Sequence, residues 1–169
     1  MGFSIIKIDD KRMVLVEMDV IRVNKEKDHY QKLKKIYSGV QQIIHRYRPT
    51  DLAIESPFFG KNVQSMLKLG RAQGIAIAVA LSEKIEVFEY SPRKIKQSVT
   101  GNGNSSKEQV ALILSQLLRF DTKHLLPDAT DALGVAVCHH FQNKILFSRD
   151  SKVSGWKKFI ELNPGRIIK

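Results

Sequence analysis

Asp128 and Asp131 stand three residues apart, so on a helix both carboxylates project from one face. Such a pair suits Mg²⁺, a hard cation usually held by one or two carboxylates together with phosphate oxygens. The competing use is local: Asp128, directly after Pro127, serves as a helix N-cap and Asp131 complements the helix dipole. Glu55 is the third acid. It closes the apolar run Leu52-Ala53-Ile54 and so falls at the carboxyl end of a buried strand, where open α/β sheets hold their ligands. A plain surface glutamate at a strand end is the alternative. Three acids on two elements are a donor set for phosphodiester cleavage in which two metals clamp the attacking and leaving oxygens.

Lys96 and Lys107 flank the loop Gly101-Asn102-Gly103-Asn104. Their ammonium groups can hold phosphate or offset charge that builds up in a transition state, and solvated surface lysines are the alternative. The loop itself is ordinary helix-breaking turn chemistry. Phe58 and Phe59 follow the strand-end acid, and Phe58 is placed to stack on a base while Phe59 reads as core. His139 and His140 next to Cys138 lack metal-ligand spacing and take no role in this reading.

The elements that position these groups are legible in the apolar pattern. Phe3 to Ile8 and Met13 to Val23, split by Asp9-Asp10-Lys11-Arg12, predict a β-hairpin. Leu33, Ile36, Tyr37, Val40, Ile43, Ile44 and Tyr47 follow helical spacing up to Pro49. A strand ends at Glu55, and a helix covers Asn62 to Leu81 with Gly70 and Gly74 on one face. Ile85 to Tyr90 is a strand, and Ser91-Pro92 opens a short helix through Lys96. Ser105 with Glu108 predicts a capping box for the next helix, and a last helix runs from about Asp128 through Cys138. The order is α/β, a sheet flanked by helices. From Lys144 onward the chain is basic and aperiodic, which divides it into a domain of residues 1–143 and a tail of residues 144–169 partly pinned by Trp156 and Phe159.

Composition limits the partners. In 169 residues, 43% hydrophobic, there is enough apolar surface for one core. The 28 Lys and Arg outweigh 17 Asp and Glu for a net charge of +11, which favours a polyanion through counterion release, nucleic acid before an acidic membrane. One cysteine excludes an internal disulfide and a cysteine-based zinc site. The longest apolar run, Ile75 to Leu81, is far below the roughly 20 residues that cross a bilayer, so the expectation is a cytoplasmic protein without a membrane partner.

Together these stretches resemble the RuvC family of Holliday-junction resolvases, within the RNase H-like superfamily. The resemblance runs from the hairpin to about His140 and is densest in Ala53-Ile54-Glu55 with Phe58 and Lys61-Asn62, and in Leu67-Lys68-Leu69-Gly70-Arg71-Ala72-Gln73-Gly74. It continues in Glu89-Tyr90, in Val99 through Val110, and in Asp128-Ala129-Thr130-Asp131-Ala132-Leu133. It implies an RNase H-like mixed sheet and a four-acid catalytic set of which Glu55, Asp128 and Asp131 match three. Lys107 joins these as a groove residue, and Phe58, Lys61, Lys68, Lys96 and Lys107 are implied to bind DNA. The implied activity is Mg²⁺-dependent hydrolysis with two ions per site, Mn²⁺ substituting, on four-way junctions in recombination and repair. A C2 homodimer and the branch-migration proteins RuvA and RuvB are the implied partners.

One departure stands at the start. The family opens with a central strand ending in Asp-Pro-Gly, and the printed chain begins with Met1-Gly2-Phe3 without it. The expectation is a start assigned at an internal methionine of a longer protein. A chain that truly lacks the first acid would bind junctions without cutting them.

Overall fold

The computed structural model describes residues 1–9, 12–26, 28–57, 62–121 and 126–150, with side chains as far as 143. Met1–His139 form one compact unit and a second begins at His140. The hairpin is present as β1 (Gly2–Asp9) and β2 (Arg12–Val20), antiparallel, with a bulge where the register shifts between Ile5 and Ile6. Helix α1 (His29–Tyr47) is capped by Asp28, whose carboxylate accepts from the amides of Tyr30 and Gln31. Its buried stripe is Ile36, Val40 and Ile44, the spacing that the sequence displays. Tyr47 donates to Glu17 at 2.7 Å and so ties the end of α1 to β2.

Strand β3 (Asp51–Glu55) runs parallel to β4 (Glu86–Tyr90), with α2 (Val63–Ser82) as the crossover that a parallel pair needs. Side chains alternate across this pair. Leu52 and Val87 pack on the cluster of Ile36, Val40 and Ile44 with Ala76, Val79, Ala80 and Ile85. Ala53 and Tyr90 turn to the opposite face, against Ile95, Val135 and Cys138. The pair is thus covered by α1 and α2 on one side and by α3 (Pro92–Thr100) and α5 (Pro127–Asp150) on the other.

The α/β reading, sheet flanked by helices, holds, and among the described residues its strands pair as β1-β2 and β3-β4. Three expectations are corrected in detail. Helix α3 continues to Thr100, because Gly101 at φ 79 supplies the left-handed turn that ends it. The capping box of α4 (Lys107–Leu118) is Ser106 with Gln109, one residue on from Ser105 and Glu108. Ser105 is buried and its hydroxyl is engaged with Thr100 Oγ1 at 2.8 Å, which removes it from capping. Helix α5 extends beyond Cys138 to Asp150, so residues 144–150 of the expected tail are helical, while Trp156 and Phe159 lie outside the described residues.

Candidate active site

Glu55 is held by its backbone. The ladder runs one residue past the strand through Ser56 N–H to the Tyr90 carbonyl at 2.9 Å. Gln73 of α2 donates its side-chain amide to the Glu55 carbonyl at 2.8 Å. The carboxyl is half-buried, and its pKa is raised from 4.5, first by that burial and then by the negative charge of Asp131, against the opposing pull of Lys107 and Lys96. An acid on β3 and an acid on α5 therefore share one electrostatic environment.

Asp128 and Asp131 occupy the first turns of α5. Pro127 is the first helical residue, so Asp128 lies inside the helix rather than at its N-cap. Gly2 explains how close β1 comes: a Cβ built there would stand 1.9 Å from the Asp128 carbonyl oxygen, so the backbones nearly touch and only glycine fits. The Met1 nitrogen is 3.8 Å from Asp128 Oδ2.

The lysine at the start of α4 completes the group. Lys107 Nζ is 2.5 Å from Asp131 Oδ2. That hydrogen bond is the main cause of a raised lysine pKa, and the charges of Asp131, Glu55 and Asp128 all add to it. One ammonium thus stands in the field of three carboxylates. Lys107 owes its place to the loop, in which Asn102 Oδ1 accepts from the Asn104 amide at 3.0 Å and Thr100 Oγ1 from the Asn102 amide at 3.1 Å.

Beside this group lies a cavity of about 680 Å³ lined by the polar Glu55, Asp128, Asp131 and Lys68 together with the apolar Leu33, Ile36, Ala53 and Val135. Three consecutive residues of β3, Ala53, Ile54 and Glu55, line it, as along the free edge of a strand rather than one face. Gln73 Oε1 and His29 Nε2, of two further wall residues, are buried without a hydrogen-bond partner among the described residues.

The structure brings Glu55, Asp128, Asp131 and Lys107 together, with Lys96 within electrostatic reach of Glu55 and Lys68 on the cavity wall. Among the described residues no three acids, histidines or cysteines stand close enough to hold a metal by themselves. The donor chemistry nevertheless fits a hard divalent ion, since the three acids supply oxygen only and line one cavity. Phe58 and Lys61 lie outside the described residues. Two groups went unread in the sequence. Gln73 sits within a stretch that carried the resemblance, but only folding shows that it caps a strand carbonyl. His139 is buried and bonded to Tyr90 Oη at 2.8 Å, a contact across 49 positions that no spacing announces.

Acids at the end of a strand and on the facing helix, with lysines beside them, define the class as a nuclease of RNase H-like fold. The family model of crossover junction endodeoxyribonuclease RuvC matches residues 1–139. The crossover junction endodeoxyribonuclease RuvC of Cytophaga hutchinsonii is 53% identical over 99% of this chain and 82% of its own length. That of Porphyromonas gingivalis is 48% identical over 99% of this chain and 90% of its own. Among solved structures, Thermus thermophilus RuvC in complex with Holliday junction substrate superposes with a TM-score of 0.79 at 26% identity, over 85% of this chain and 88% of the other. The chain belongs to the RuvC family of crossover junction endodeoxyribonucleases. No helix among the described residues is long and apolar enough to cross a membrane.

Proposed function

We propose that this chain cuts four-way DNA junctions by metal-dependent hydrolysis at the site formed by Glu55, Asp128 and Asp131. One observation carries the reading: Glu55 of β3 and Asp128 and Asp131 of α5 open onto one cavity, and the ammonium of Lys107 is bonded to Asp131 at its edge. Bound Mg²⁺, with Mn²⁺ able to replace it, would supply activation of water and neutralisation of phosphate charge. The three acids would hold it. Lys107 and Lys96 offset charge on the phosphate, and Lys68, with Lys61 and Phe58 as the family resemblance implies, adds contact to the DNA.

The cavity favours a further strand between β1 and β3. Its wall includes the free edge of β3, and the orphaned Gln73 Oε1 and His29 Nε2 would gain partners there. Such a strand would run beside Asp128 and bring a fourth acid to the site.

A homodimer has support in α2. Val63, Leu67, Gly70, Gly74 and Leu81 recur at helical spacing along one face, and all are exposed. Nothing lies within 4 Å of a Cβ built at Gly70 or Gly74, so a second α2 can approach closely. A C2 pair would present one site to each of two strands of a junction. The branch-migration proteins RuvA and RuvB are the further partners that the family resemblance implies, and the cytoplasm the compartment.

The test compares this chain, a version carrying an upstream strand that ends in Asp-Pro-Gly, and the Glu55→Gln variant of each on one synthetic four-way junction, with Mg²⁺ and with EDTA. Cleavage that needs Mg²⁺ and Glu55, and that rises when the strand is added, is the expected result. Equal cutting with and without the strand overturns the fourth acid. Tight binding with no cutting by either version makes the protein a junction binder.

A further inference from the structure

Helix α5 and strand β3 run alongside each other in step. Asp131, Val135 and His139 are four apart and share a face of the helix, while Glu55, Ala53 and Asp51 are the same-face residues of the strand read in the opposite direction. Each rung couples the two elements in its own way. Glu55 feels the charge of Asp131, Ala53 packs on the cluster that contains Val135, and His139 Nε2 stands 3.7 Å from Asp51 Oδ2.

The His139 rung is the most constrained of the three. The residue is 9% exposed, its ring lies 4.5 Å from that of Phe88, and its Nδ1 is 2.8 Å from Tyr90 Oη. Tyr90 is the register partner of Glu55 across the parallel pair. One imidazole therefore joins α5 to the strand that carries Glu55 and to that strand's neighbour. An apolar ring at this place would fill the space but leave α5 free to turn about its axis. The hydrogen bond from one edge of the ring to Tyr90, with the Asp51 carboxylate facing the other edge at 3.7 Å, limits that freedom, because hydrogen bonds are directional and packing is not.

We propose that His139 is a positioning residue for the carboxylate site: through Tyr90 and Asp51 it fixes the rotation of α5 against β3 and β4, and so the separation of Asp131 and Asp128 from Glu55. The proposal rests on the reading of those acids as a metal site. Groups that orient metal ligands from outside act in this way, and their loss costs metal affinity and activity more than it costs the fold.

Three variants separate positioning from packing. His139→Phe keeps a ring and loses both polar contacts. Tyr90→Phe removes the Nδ1 contact from the other side. His139→Asn places an amide where Nδ1 stands and so restores the bond with a smaller side chain. The first readout needs no DNA: the Mg²⁺ concentration at the midpoint of the rise in melting temperature of the full chain. The second is the split of kcat from KM on the four-way junction.

His139→Phe and Tyr90→Phe should each raise the Mg²⁺ midpoint and lower kcat by roughly 10- to 100-fold, the range found for partners of metal ligands. KM should stay within about twofold, since the contacts to DNA lie elsewhere. The double variant should be no worse than His139→Phe alone, because Tyr90→Phe removes a bond that His139→Phe has already removed. His139→Asn should recover part of the loss.

Two results overturn the proposal. In one, His139→Phe and Tyr90→Phe keep the wild-type Mg²⁺ midpoint and kcat. In the other, all three variants lose melting temperature, KM and kcat together without recovery in His139→Asn, which marks a structural role alone. A wild-type chain with no response to Mg²⁺ would overturn the metal site itself and this proposal with it, so the two failures are told apart by the wild type.

Discussion

Lys107 Nζ and Asp131 Oδ2 lie 2.5 Å apart, so the first residue of α4 is joined to the second turn of α5 by the group that faces Glu55. The lysine is protonated across the working range, because the bond to Asp131 holds its pKa above the ordinary value. Sign follows from this direction. Any stability that the pair gives is present below the unfolded pKa of lysine and is lost as pH rises through the higher folded one.

Replacing Lys107 by Met should lower cleavage of a four-way junction more than it lowers binding, by about 10-fold or more in kcat, if the ammonium acts on charge that develops during the reaction. Binding measured in EDTA and cleavage measured in Mg²⁺ separate the two. Equal losses would reduce Lys107 to a phosphate contact.

Glu55→Gln should abolish cleavage and yet raise the melting temperature of the metal-free protein at neutral pH. The carboxyl has its pKa raised, first by burial, so the folded state holds the proton longer than the unfolded state does. The folded state binds more protons between the two pKa values, and stability falls as pH rises through that window. The gain in Glu55→Gln should accordingly vanish when both proteins are melted below the ordinary carboxyl pKa of 4.5. A gain that persists there would point to packing rather than charge.

Gly2→Val should cost about 1–3 kcal/mol, the range for forcing atoms into a filled site, because the obstacle is the backbone of Asp128 and cannot swing aside. Urea unfolding of the two proteins gives the number. An unchanged midpoint would show that β1 can part from the first turn of α5 without loss.

Leu67→Glu should convert a dimer into a monomer in sedimentation, since Leu67 is 53% exposed in the middle of the apolar face of α2. Leu112→Glu is the control. It is 55% exposed but lies on α4, and it should leave the assembly unchanged.

Much of the scaffold was legible because its signals are local. Ile36, Val40 and Ile44 give α1 its stripe, Leu52 to Glu55 read as a strand with an acid at its end, and Ser91-Pro92 opens α3. The capping box slipped by one residue because Ser105 and Ser106 both stand three before an acceptable partner, and what decides between them is the bond from Ser105 to Thr100. The site was legible as residue types and only partly as geometry. That Asp131 reaches Lys107, that Gln73 holds the Glu55 carbonyl, and that His139 meets both Tyr90 and Asp51 are consequences of packing between distant segments. The division into two sheets is of the same kind, since strand alternation says which face is buried and not which edge is paired.

The division of four strands into two pairs also sets how the molecule breathes. β1 and β2 share one ladder, β3 and β4 another, and among the described residues no rung joins them. Without a strand between β1 and β3, hydrogen exchange of the hairpin should therefore be separable from that of the parallel pair, and adding such a strand should couple the two. The acids are split along the same line, with Asp128 against Gly2 of the hairpin and Glu55 within the parallel pair. Opening of the hairpin would remove the contact of Gly2 with the first turn of α5 and leave the ladder that holds Glu55 intact, so amide exchange at Gly2 and Phe3 should report on the Asp128 side of the site alone.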